Sequence, residues 1–302
     1  MSATPIDLSR LPVPDIVETI SYEVLLEKRK AEFIARFPED ERNDVAAVLK
    51  IESEPLAILA QEHTYREIVI RQRVNDAARS IMLAYAAGTN LEHLAALFDI
   101  ERLTLVPGDP ENGTAAVMER DPDLRKRIQL APQGFSVAGP EGAYISHALN
   151  ADGRVLDASV TSPAPCEVLV TILSREGDGT AASDLLAKVS KALRDDDIRP
   201  LTDKVTTQSA EIKRYRVRAT LYTFSGPDSS VVLTEARKRL AVYAKETHRN
   251  GREVTLSGIY AALHVDGVER VQLDEPVADI PVAKTQAPYC IEMSVTHGGI
   301  YG

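Results

Sequence analysis

The chain has 302 residues, 44% hydrophobic and 5% aromatic with no tryptophan, so it can form two or three compact units with aliphatic cores, and an aromatic-lined ligand pocket is disfavoured. A formal charge of −10 argues against a general nucleic-acid binder, which needs clustered Lys and Arg to neutralise phosphate. The start MSATPIDLSRLPVPDI has no signal-peptide pattern, no stretch is long enough to cross a bilayer, and Cys166 and Cys290 make no disulfide framework, so folding in a reducing cytoplasm is expected.

Residues 1–17 carry Pro5, Pro12 and Pro14 and read as an extended lead. A helix is expected over 21–37, with Val24, Leu25, Phe33, Ile34 and Phe37 as its apolar positions and Pro38 ending it, then a short helical piece over 44–49. The longest helix is expected over 55–87, with Pro55 in its first turn and Gly88 after its end. Its half-apolar stripe is Leu59, His63, Ile70, Val74, Ile81 and Tyr85, an eleven-residue repeat that keeps one seam nearly straight. Charged flanks (Glu62, Arg66, Glu67, Arg71, Arg73, Asp76, Arg79) make this a narrow seam of the kind that packs in a bundle, hence an oligomerisation helix.

Asn90 is expected to cap a helix over 91–98, and Asp121-Pro122 to open one over 123–130. The Gly-rich passage 133–140 then leads into a unit that is written twice. Residues 145–163 (ISHALNADGRVLDASVTSP) return as 259–276 (IYAALHVDGVERVQLDEP) with a one-residue gap. Each copy reads as helix, Asp-Gly turn and strand, the glycine tolerating positive φ and a proline stopping the strand. Strands are expected at 168–173, 205–211, 215–224 and 290–296, and helices at 181–193 and 229–248. The fold class is therefore α+β: N-terminal bundle helices (1–88), a helical connector (89–140) and two tandem α+β domains (141–211 and 212–302), each with helices on one sheet face. Both cysteines, near strand starts, are expected to be buried core thiols.

Between Lys213 and Arg252 ten Lys or Arg face three acids, about +7 within a chain of −10. Arg214, Arg216 and Arg218 share one side of a strand whose other side is Tyr215, Val217, Ala219 and Leu221. They read either as a solvated face or as a docking surface for an acidic partner, including the acidic part of another copy. His63 and Glu67, four apart, make at most half a metal site and read better as seam residues. Glu92-His93 faces solvent. Asp195-Asp196-Asp197 with Asp203 lacks calcium-loop spacing and reads as an exposed acidic turn ending a helix, and Glu176 to Thr180, like a calcium loop only in composition, reads as a turn into the helix that follows. No nucleophile elbow, P-loop or dinucleotide fingerprint occurs. No catalytic residue, cofactor or metal is therefore expected.

Val74 to Leu103 (VNDAARSIMLAYAAGTNLEHLAALFDIERL) resembles the baseplate assembly protein J family of contractile-tailed phages and phage-derived tail machines. The resemblance runs through 125–128, Gly139-Pro140-Glu141-Gly142-Ala143-Tyr144, Val160-Thr161-Ser162-Pro163, Arg199-Pro200-Leu201-Thr202-Asp203, Thr285-Gln286-Ala287-Pro288-Tyr289 and 298–300. It implies a structural part of the baseplate wedge in a virion tail or tail-like bacteriocin particle, assembled in the host bacterial cytoplasm. The implied partners are a second copy, a smaller wedge protein of the tail protein I type, and other baseplate proteins, among them sheath-initiator and hub components, with no nucleic acid or membrane. N-terminal helices would share a bundle, and C-terminal domains would link neighbouring wedges into a ring. The competing readings are a soluble enzyme on a duplicated α+β core, marked by a pocket of converging ionisable groups, and a nucleic-acid adaptor using 213–252, marked by salt-dependent binding.

Overall fold

The computed structural model describes residues 6, 8, 11, 12, 14–135, 139–226 and 228–301. Pro5 of the expected lead and residues 136–138 of the Gly-rich passage lie outside them. The chain divides into two compact units, 6–99 and 100–302.

In the first unit, Ser21 caps α1 (Tyr22–Ile34), its hydroxyl accepting from the Val24 N–H. Next come α2 (Arg42–Val48), α3 (Pro55–Ser80) and α4 (Thr89–Ala96). Helix α1 lies along α3, with Leu26, Ala57, Thr64 and Asn75 buried. The lead is pinned to α3 through Asn75, whose Oδ1 accepts from the Glu18 N–H at 3.0 Å and whose Nδ2 donates to the Glu18 carbonyl at 2.9 Å. Two expectations are corrected. Helix α3 stops at Ser80 rather than continuing to residue 87, and backbone bonds from Met82 to the Arg79 carbonyl and from Tyr85 and Ala86 to the Met82 carbonyl turn the chain. Burial of Ala86 outweighs the helical propensity of the Ala-rich run. Asn90 lies inside α4; the cap position belongs to Gly88 at φ +54°, and Leu91 and Ala95 form the buried face.

The second unit opens with a two-stranded ribbon that the periodicity did not announce, β1 (Thr104–Val106) antiparallel to β2 (Val117–Met118). Then follow α5 (Asp121–Leu130, Pro122 in its first turn), a 3-10 helix (Ala131–Phe135), α6 (Glu141–Ala151), β3 (Val155–Thr161), β4 (Glu167–Ser174), α7 (Ser183–Leu193) and β5 (Lys204–Ser209). After the single residue Ala210 come β6 (Glu211–Thr223), α8 (Ser229–Thr247), α9 (Leu256–Leu263), β7 (Val268–Glu275) and β8 (Gln286–Ile300).

The two three-stranded sheets, ordered β3-β4-β5 and β7-β6-β8, have the same pairing plan. In each, the strand of the repeated unit (β3 or β7) is an antiparallel edge, and a parallel edge (β5 or β8) lies across the central strand. Chain order differs. The helix-turn-strand unit precedes the central strand in the first sheet and follows it in the second, so local signals repeat while connectivity is permuted. The Asp-Gly turns also differ: Gly267 has φ +96°, but Gly153 is not in the left-handed region. Gly153 is required by close approach instead, because a Cβ there would sit 2.8 Å from the Thr104 carbonyl oxygen.

One core joins Tyr144, Leu149, Val160, Ile172, Leu185 and Val189; the other joins Val217, Leu221, Ala236, Leu240, Ile259 and Leu263. Between them, Leu173, Ala210 and Ala287 make a small cluster with Leu156 and Ile212. Polar contacts reinforce this seam. The Ser159 hydroxyl donates to the Lys284 carbonyl at 2.5 Å, Asn250 Nδ2 to the Thr171 carbonyl at 3.0 Å, and the Asn250 N–H to Asp157 at 3.1 Å.

Candidate functional site

Helix α3 buries little but has seven large apolar side chains exposed: Leu56, Ile58, Leu59, Tyr65, Val69, Ile70 and Val74. At 3.6 residues per turn they fall into two stripes roughly a third of a turn apart. One is the expected seam: Leu59, His63, Ile70 and Val74. The other, Ile58, Tyr65 and Val69, spaced seven and four, was hidden by its charged neighbours Glu62, Arg66 and Asp76; the same count of spacings would have found it. Ile81 and Tyr85, expected on the seam, lie beyond the helix end; Ile81 is 72% and Tyr85 37% exposed.

Beside the first stripe runs a groove of about 540 Å³, lined by His63, Ile70 and Val74 of α3, by Ile16 and Glu18 of the lead, and by Arg29 of α1. Its rim is already ion-paired: Glu67 accepts from Arg29 and Arg71, and Glu18 from Arg71 at 2.7 Å. The Arg71 hydrogen bond is the main reason the Glu67 carboxyl titrates below its ordinary range. Glu67 is thus committed to arginines rather than paired with His63 as a half metal site. Among the described residues, no group of three or more His, Cys, Asp or Glu could hold a metal ion.

Arg214, Arg216 and Arg218 are exposed along β6, with Tyr215, Val217, Ala219 and Leu221 buried on its other side, as the alternation predicts. Each has an acidic neighbour in the chain: Asp178 at 2.7 Å from Arg214, Glu292 at 3.4 Å from Arg216, and Glu275 and Glu292 at 3.8 and 3.7 Å from Arg218. Asp178, in the loop before α7, has its carboxyl lowered to about 2 by the hydrogen bond from Arg214 and then by Thr180. The turn over 176–180 is therefore a contact between the α+β domains. Glu92 and His93 are exposed. The cysteines depart from expectation: Cys166 is exposed at φ +62° just before β4, and Cys290 is half-buried within β8, where burial pushes its thiol up.

The quoted motifs meet in space. Tyr144 of the first donates to Asp203 of the Arg199-to-Asp203 motif at 2.7 Å, and burial, then that bond, raises the Tyr144 hydroxyl. Gly139, at φ +67°, lies so close that a Cβ would sit 2.9 Å from Asp203 Oδ2 and 3.1 Å from Pro200 Cγ. Two segments sixty residues apart thus latch the first α+β domain. The Pro288 carbonyl of the Thr285-to-Tyr289 motif accepts from His248 Nδ1–H at 2.6 Å.

Known families match the chain in order: the baseplate J-like N-terminal domain over residues 52–109, the central domain over 136–209 and the C-terminal domain over 215–296. Baseplate protein J of Escherichia phage P2 is 51% identical over 296 residues, covering 97% of this chain and 98% of that protein. Among solved structures, a chain of the anti-feeding prophage (AFP) baseplate, determined by cryo-EM, gives a TM-score of 0.40 at 14% identity. That match covers 59% of this chain and 44% of the other, so the chain spans less than half its length. With three collinear domain matches and a near full-length relative at this identity, the chain belongs to the baseplate J-like protein family.

Proposed function

We propose that this protein is a wedge component of a contractile tail baseplate, in a phage virion or tail-like particle, and that it works by gripping other proteins rather than by transforming a substrate. The coarse assignment, a structural baseplate component, follows from family membership. The finer reading rests on one observation: α3 presents two apolar stripes that its own chain leaves exposed. A helix with two such stripes is suited to two further helices in a bundle. The occupants proposed are a second copy and a smaller wedge protein of the tail protein I type. Residues 1–88 would form this lasting joint. The domains 141–211 and 212–302 would make the smaller, breakable contact between neighbouring wedges, with rigid-body movement of these domains freeing the sheath.

The test is co-purification of the full chain carrying Ile70→Glu and Val74→Glu with its wedge partner. Because Ile70 is 66% and Val74 57% exposed, the variant should keep its circular dichroism and melting midpoint while losing stoichiometric capture. Undiminished one-to-one capture would refute the bundle assignment.

A further inference from the structure

Of the six asparagines, two precede a glycine: Asn112-Gly113 and Asn250-Gly251. With no side chain on the following residue, the glycine nitrogen can approach the asparagine Cγ and close a five-membered ring. The structure holds the two pairs by different means.

Asn112 and Gly113 lie at the tip of the β1–β2 hairpin, which Asp109 and Thr114 close through two backbone bonds of 2.9 Å. Both residues are exposed, and no atom lies within 4 Å of the position a Gly113 Cβ would take. The side-chain amide is held by one charge-assisted bond, Asn112 Nδ2 donating to Asp109 Oδ2 at 2.6 Å. The Gly113 N–H makes only a long bond, 3.4 Å, to the Pro110 carbonyl. Every restraint on the pair is therefore made inside the loop, and opening the tip releases them while the Asp109–Thr114 closure stays intact.

Asn250 is tied to distant segments. Its Nδ2 donates to the Thr171 carbonyl at 3.0 Å, its N–H to Asp157 at 3.1 Å, and the Gly251 N–H to the Gln286 carbonyl at 2.9 Å. Asn250 Oδ1 is buried, and a Gly251 Cβ would sit 3.3 Å from Lys284 Cα. Reaction there waits until the two α+β domains part.

We propose that Asn112 is a self-modification site, converting to aspartate and isoaspartate in the folded protein, that Asp109 slows the conversion, and that Asn250 is protected from it. The Gly113 nitrogen gives its proton to a solvent base and attacks Asn112 Cγ. A Cγ–N bond forms, the Cγ–Nδ2 bond breaks, and Nδ2 leaves as ammonia with a proton from water. Water then opens the succinimide ring. Breaking the new Cγ–N bond yields aspartate, and breaking the original peptide bond yields isoaspartate, with the backbone rerouted through Cβ and Cγ. The net exchange is one amide and one water for one carboxylate and ammonium. While Asp109 holds Nδ2, Cγ is not free to swing onto the Gly113 nitrogen. The aspartate product sets a carboxylate against Asp109 where an amide donor stood, so an attraction becomes a repulsion. No partner protein is required.

The full-length protein, incubated folded and in parallel unfolded in urea, is digested and the peptides bearing residues 112 and 250 are weighed, with isoaspartate scored by enzymatic methyl esterification. In the folded protein the residue-112 peptide should gain one mass unit roughly tenfold or more faster than the residue-250 peptide, and in urea the difference should largely vanish. Asn112→Gln, which cannot close the five-membered ring, should abolish the signal at 112 in both states. Asp109→Ala should speed conversion at 112 several-fold and leave 250 unchanged. Asp109→Asn, which keeps acceptors for the Glu111 and Asn112 N–H groups without the charge, should fall between it and the wild type. Equal rates at the two sites in the folded protein, or conversion at 112 only in urea, overturns the site. Unchanged or slower conversion in Asp109→Ala overturns Asp109 as the brake.

Discussion

At the residue scale, the clearest liability is a buried ion pair. Arg127 Nη1 donates to Glu119 Oε2 at 2.5 Å with side chains 6% and 1% exposed, and Arg127 also reaches the Glu101 carbonyl and Asn150. This hub ties the β1–β2 ribbon to α5 and α6. Removing one partner strands the other charge in a dry site, so Arg127→Ala should cost about 3–5 kcal/mol of unfolding free energy. Replacing both by methionine should cost markedly less, and urea denaturation of the three variants measures the difference. A second effect is pH-dependent. Burial raises the Asp152 carboxyl, but hydrogen bonds from Arg154 and Lys188 outweigh it and hold it at about 2. A folded pKa below the ordinary 3.8 gives stability that is present above pH ~4 and is lost as pH falls toward 2. The shift corresponds to about 2 kcal/mol, so Asp152→Asn should flatten the acid limb of a stability-versus-pH curve between pH 5 and 2.

Among the elements, α8 and α9 pack through a glycine whose role is steric. A Cβ at Gly258 would meet the Tyr243 ring at 2.5 Å, although the site is helical. Alanine normally favours a helix over glycine by about 1 kcal/mol, but here overpacking of about 1–3 kcal/mol should win and lower the melting midpoint. Tyr243→Leu in the Gly258→Ala background should recover part of the loss; no recovery would place the strain elsewhere. Helix α3 behaves oppositely. Its stripes are open, so charges placed on Ile70 or Val74 should change association and leave the fold intact.

For the whole molecule, the two α+β domains are joined by more than chain continuity. Ala210 alone separates β5 from β6 and is itself buried, and Asn250, Ser159, Asp178 and Lys284 all bond across the seam. The expected outcome is one cooperative unfolding transition for residues 141–302, followed by hydrogen exchange. Asn250→Ala, which removes the side-chain bond to the Thr171 carbonyl and leaves the backbone bond to Asp157, should lower protection on both sheets together, whereas separate loss on one sheet would mean the domains open independently.

What the sequence determined by itself was local and periodic. Alternation along 215–221 fixed which face of β6 is buried, the repeated helix-turn-strand unit announced two matching helix-strand pairs, and the motifs named the family, because side-chain spacing and turn chemistry are properties of neighbouring residues. Tertiary structure decided the rest. It ended α3 at Ser80, gave Gly153 a steric instead of a conformational role, exposed Cys166, and permuted the order in which the second sheet is built. It also brought Arg127 to Glu119 and Tyr144 to Asp203. Each of these depends on which distant segment arrives to occupy or vacate a space, and no spacing along one chain segment encodes that.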